Sequence, residues 1–142
     1  MSYIKLSKHG ETPFEKLLGY VPEISHKWAQ LESAFFQSQT FSSEFLEQVR
    51  RALAFNNLCQ YCMAKAGKPD ENPESIKLEQ ALSFANCYAI DHQTIDEQYI
   101  EQMKQYFSEG ELVELIAFCS FISAAQKFGA SLGLQPREYY VE

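Results

Sequence analysis

The stretch Ser108-Glu109-Gly110-Glu111-Leu112-Val113-Glu114-Leu115-Ile116-Ala117-Phe118-Cys119-Ser120-Phe121-Ile122-Ser123-Ala124-Ala125 decides the fold class. It opens with a hydroxyl residue three positions before a Glu. That spacing lets the two side chains satisfy each other's backbone N–H groups at a helix start. From Leu112 to Ala125 Glu114 is the one charged residue, and a helix apolar on every side is buried on every side. In so short a chain this predicts a central helix covered by others, or one buried in a subunit interface. The uncharged run Leu115 to Ala125 falls short of the roughly 20 residues a membrane span needs, so no membrane association is expected.

Working outward, the same helical punctuation recurs. Pro13 after Thr12 opens a short helix, Phe14 to Leu18, stopped at Gly19, because Pro at the first helical position forfeits no hydrogen bond. Pro22 repeats the device for a helix whose face reads Ile24, Trp28, Leu31 and Phe35. Ser42 or Ser43 caps a third helix with Phe45, Leu46, Val49 and Leu53 on one side, interrupted at Asn56-Asn57. A short helix ended by Gly67 follows, then a surface loop from Lys68 to Pro73. Asn72 and Pro73 are expected to start the next helix, running through Leu78, Ala81, Leu82, Ala85 and Tyr88. A second hydroxyl–Glu pair, Thr94 and Glu97, predicts a helix start at about Ile95. No run alternates as a strand would, so the expected fold is all-α over one domain, residues 1–142.

Composition narrows the function. The 142 residues carry 12 Lys+Arg and 19 Asp+Glu, a formal charge of −7, the wrong sign for a phosphate-neutralising nucleic-acid binder. The N-terminal ten residues hold no apolar h-region, so no secretory signal is read there and a cytoplasmic location is expected. In that reducing setting a close cysteine pair points to redox chemistry or metal binding before a structural bridge.

That pair is Cys59-Gln60-Tyr61-Cys62. The break at Asn56-Asn57 places it in the first turn of a new helix, where unpaired N–H groups favour a thiolate. Zinc would need four ligands, and no second such pair or His-x-x-x-His is present, so neither metal nor bound cofactor is expected. Two inert core cysteines remain the plain alternative, as Cys87 and Cys119 are expected to be.

The segment Glu47-Gln48-Val49-Arg50-Arg51-Ala52-Leu53-Ala54-Phe55-Asn56-Asn57-Leu58-Cys59-Gln60-Tyr61-Cys62 resembles the core signature of the carboxymuconolactone decarboxylase family, in its alkylhydroperoxidase AhpD-like branch. The Glu, the Cys twelve residues later and the C-x-x-C pair carry the likeness, which is strongest over residues 42–134. The resemblance implies an antiparallel helical bundle assembling as a dimer, trimer or hexamer. It implies a thiol-dependent antioxidant oxidoreductase, a peroxidase, cycling a redox-active dithiol–disulfide. The substrate would be a hydroperoxide or a small dithiol or disulfide, with a peroxidase or electron-donor protein as partner. It implies Cys62 as the reactive thiol, Cys59 as its buried resolving partner and Glu47 as the proton-relay carboxylate.

The sequence departs from the family pattern at Ala66, where the relay normally has a His. Tyr61, Lys65 and His92 are the auxiliary candidates, Lys65 being expected on a different helix face from Cys62. His9 and His26 fall in the less-matched N-terminal third. Glu114 is expected in a structural ion pair with Arg50, Arg51 or Lys127, and the tail Pro136 to Tyr140 as a docking segment at a neighbouring subunit. The alternative function is a non-catalytic, redox-responsive helical oligomer of the same fold; lactone decarboxylation ranks below both.

Overall fold

The computed structural model describes residues 2–136 and 139–140. Among them are seven α-helices, one 3-10 turn and no strand, so the chain is all-α. The helices are α1 (Pro13–Leu18), α2 (Pro22–Gln37), α3 (Ser43–Asn57), α4 (Gln60–Ala66), α5 (Ile76–Asp91), α6 (Glu97–Met103) and α7 (Glu109–Ser131), with the 3-10 turn at His92–Thr94.

Local chemistry sets most boundaries. Ser108 and Glu111 form the expected capping box at α7. A further box, Thr12 with Glu15, starts α1. Two starts differ from expectation. α5 begins at Ile76 and not at Asn72-Pro73, because Ser75 Oγ takes the Leu78 N–H and wins the cap. α6 begins at Glu97, because Asp96 accepts from Tyr99 N while Thr94 Oγ1 turns back to the Asp91 carbonyl.

The main core joins α3, α5 and α7. Val49, Leu53, Phe84, Leu115 and Phe118 are completely buried there. α7 is less enclosed than its composition predicts. Val113 is 70% exposed, and Ala117, Ser120 and Ala124 continue that open side at helical spacing. By length and composition α7 could cross a membrane, yet half its most apolar window is packed inside the bundle, as in a core helix.

α2 departs further from expectation, since none of its residues is fully buried. Trp28 and Phe35 reach Phe121 at ring distances of 5.4 and 5.6 Å, but Ile24 and Leu31 on the same face stay about half exposed. The helix therefore stands off the bundle on large aromatic side chains. A second, smaller core lies beside it, built from Leu17, Cys59, Tyr61 and Leu134.

Candidate functional site

The site begins where α3 stops. Asn57 Nδ2 donates to Gln126 Oε1 at 2.8 Å and to Ser123 Oγ at 3.1 Å, tying the end of α3 to α7. Gln126 is 2% exposed and donates in turn to the Arg50 carbonyl, so this buried amide is satisfied on both sides. Leu58 then takes a left-handed conformation, φ 55° and ψ 36°, and the chain turns sharply into α4. The interruption expected at Asn56-Asn57 thus falls one residue later.

The turn makes Cys59 the N-cap of α4, with its Sγ accepting from Cys62 N at 3.2 Å. Cys59 and Cys62 are joined as a disulfide, their Cα atoms 5.1 Å apart. The two sulfurs live in different surroundings. Cys59 is completely buried in the smaller core. Its Sγ faces Gly129 of α7, where an added Cβ would lie 3.4 Å from the sulfur. α7 ends just beyond, with Leu134 N bonding the Gly129 carbonyl, Gly133 N bonding that of Ala130, and Gly133 at φ +66°. This ending folds Leu134 back over Cys59. Cys62 is half-buried and faces a cavity of about 520 Å³.

That cavity lies between α2 and the disulfide, and its wall includes Glu47, Tyr61, Cys62, Lys65 and Ala66. Four of the sequence candidates therefore meet in one space, with Cys59 directly behind Cys62. Lys65 joins them, contrary to the expectation of a separate face, because residues three apart on a helix are neighbours. Its Nζ lies 5.9 Å from the centre of the Tyr61 ring. His92 does not line the cavity; it sits in the 3-10 turn with its ring 6.4 Å from that of Tyr88. Two residues set aside in the sequence, His9 and His26, do line it. No spacing signal links them to the cysteines, because they arrive from the N-terminal segment and from α2.

The cavity carboxylates are not equally free. Glu15 accepts from the backbone N–H groups of Glu11 and Thr12, which hold its carboxyl below the usual range, with a smaller contribution from Lys65. Glu32 binds Arg50 Nη2 at 2.9 Å. Glu47 lies 3.8 Å from Arg50 Nε, beyond hydrogen-bond length, and its side chain is 38% exposed. Glu47 is the least committed of the three. Aromatic rings of Phe14, Trp28 and Phe121 supply the apolar wall.

The other cysteines lie apart from this site. Cys119 is completely buried in the main core, and burial pushes its thiol up to about 12. Cys87 is half-buried on α5 beside Tyr99, whose hydroxyl is raised by burial and then by the neighbouring Cys87. Among the described residues no three His, Cys, Asp or Glu side chains are grouped to hold a metal ion. Glu114 takes a hydrogen bond from Ser38 Oγ in place of the expected ion pair, Arg50 being engaged by Glu32. In the tail, Tyr140 Oη accepts from Gln135 N, while Arg137 and Glu138 lie outside the described residues. Compared with known proteins, the chain matches no family model and no curated protein.

Proposed function

We propose that this chain is a thiol–disulfide oxidoreductase of the AhpD-like type, reducing an organic hydroperoxide at Cys62 and closing the Cys59–Cys62 disulfide. One observation carries the reading. Cys62 opens onto a cavity shared with Glu47, while its bonded partner Cys59 is sealed behind it. A volume of about 520 Å³ falls within the range of small-molecule sites.

The chemistry balances with two substrates. In the reduced pair, a base on the cavity wall takes the Cys62 proton, since the thiolate is the nucleophile. The sulfur attacks the terminal oxygen of the hydroperoxide and the O–O bond breaks. Cys62 becomes a sulfenic acid, and the departing alkoxide recovers the proton as an alcohol. The Cys59 thiol then attacks the Cys62 sulfur, forming the disulfide and releasing water. A small dithiol returns two electrons and two protons by exchange, leaving as its own disulfide. Each turnover consumes one hydroperoxide and one dithiol.

Titrating reduced protein with tert-butyl hydroperoxide tests this. Two thiols should disappear per hydroperoxide, with Cys59–Cys62 as the product, and Cys62→Ser should abolish the loss. Undiminished thiol loss in Cys62→Ser refutes the assignment.

A second reading rests on the exposed apolar residues Ile24, Leu31 and Val113. They fit a homo-oligomer whose assembly responds to the state of the disulfide, with or without turnover. Sedimentation of oxidised and reduced protein distinguishes it: a redox-dependent change in mass supports this reading, and an invariant monomer refutes it.

A further inference from the structure

We infer that His26 of α2 is the group that holds the Cys62 proton in the reduced protein and, once protonated, pairs with the thiolate. The inference rests on the proposed redox role of Cys62 and adds to it a residue from a different part of the chain. A carboxylate that accepts the thiol proton becomes neutral and leaves the new thiolate without a counter-charge. An imidazole that accepts it becomes a cation, so one group performs both tasks.

The cavity's permanent cations each have a neighbour other than the thiol. Arg50 sits between Glu32 at 2.9 Å and Glu47 at 3.8 Å. Lys65 lies over the Tyr61 ring and also faces Glu15. What remains on the cavity wall are the imidazoles of His9 and His26. His9 belongs to an irregular segment whose backbone is held locally, its N–H on Ser7 Oγ. His26 stands on a regular helix that the Glu32–Arg50 pair fastens to α3. It lies six residues before that clasp, about 9 Å along the axis at the usual helical rise. Pro22, Ser25, His26 and Ala29 of α2 all face the cavity, so His26 is central to the helix's contribution. The charged and titratable groups lining the cavity with Cys62 are Glu47 and Arg50 from α3, Lys65 from α4, Glu15 from α1, Glu32 and His26 from α2, and His9 from the N-terminal segment.

The direct test is the pH dependence of Cys62 alkylation in fully reduced protein, read by peptide mapping with iodoacetamide. It needs no peroxide activity. The wild-type inflection should lie below the free-thiol value of about 8.5. His26→Gln should move it up by about one pH unit, slowing alkylation near neutral pH about tenfold. His9→Gln should leave it in place. In His26→Ala, millimolar imidazole should restore part of the rate, a recovery that a merely structural role would not produce. His26 is exposed, so the substitutions should fold, and His26→Asn provides a second check.

An unchanged inflection in His26→Gln, an equal shift in His9→Gln, or a wild-type inflection already near 8.5 overturns the assignment. A lowered, His26-dependent inflection in a protein that leaves hydroperoxide untouched would sustain the assignment while refuting the peroxidase reading.

Discussion

Replacing Gly129 by Ala tests how the disulfide is packed, because its sign follows from two small terms. Gly129 lies in the last turn of α7, and a Cβ there would sit 3.4 Å from Cys59 Sγ, 3.4 Å from Leu134 Cδ2 and 3.7 Å from Leu134 Cβ. These are contact distances and not overlaps. Ala in place of Gly gains up to about 1 kcal/mol in a helix interior, and less in a last turn. Burying one more methyl contributes about 0.8 kcal/mol. We expect Gly129→Ala to stabilise the oxidised protein by about 1 kcal/mol. With an unfolding entropy near 2.1 cal/mol/K per residue over this chain, Tm should rise about 3 °C. Gly129→Val pushes two further carbons into Cys59 and Leu134, and overpacking of that kind costs about 1–3 kcal/mol. Urea unfolding followed by circular dichroism measures both variants. A clear loss of stability in the Ala variant, or an equal gain in the Val variant, would show that Cys59 is not seated against α7.

Glu111 should confer an acid-sensitive increment of stability. Lys77 Nζ at 2.6 Å, then the Ser108 N–H, hold its carboxyl below the usual glutamate range. Its folded-state value is lower than its unfolded one, so the contribution is complete above the ordinary glutamate range and fades as pH falls through the folded value. Glu111→Gln should cost about 0.5–1.5 kcal/mol at neutral pH, with the difference vanishing in acid, as urea unfolding across pH would measure. Cys119 should resist alkylation in the folded protein even at mildly alkaline pH, since burial raises its thiol to about 12, and should react on unfolding. Mass spectrometry of iodoacetamide-treated native protein should therefore find Cys87 modified ahead of Cys119, and equal labelling would contradict the burial.

Features governed by neighbours in sequence were legible. Pro13, Pro22 and the Ser108–Glu111 box each specify a helix start through groups within four residues, and all three appear as read. Misplaced starts arose where two caps compete within a few residues, Ser75 against Asn72-Pro73 and Asp96 against Thr94. The left-handed Leu58 had no local signal, because a Leu rarely adopts that conformation and tertiary ties through Asn57 impose it. The apolar face of α2 was visible, but its half-burial was not, since that depends on how far aromatic side chains hold the helix off α7. The cavity follows the same rule. Cys59, Cys62 and Glu47 share one stretch of chain and could be grouped by spacing. His9 and His26 reach the cavity only through the packing of α2 and the N-terminal segment over α3 and α4.

The central claim is that Cys62 is the reachable sulfur of the pair and Cys59 the sealed one. Single-cysteine chemistry tests it most directly, with Cys59→Ser and Cys62→Ser compared in a background where Cys87 is replaced by Ser. Each folded variant is mixed with an aromatic disulfide such as Ellman's reagent, and the released thiolate is followed in time. Cys62 in the Cys59→Ser variant should react at least about tenfold faster than Cys59 in the Cys62→Ser variant, since exchange requires both thiolate and access. Equal rates, or faster reaction at Cys59, would contradict the account.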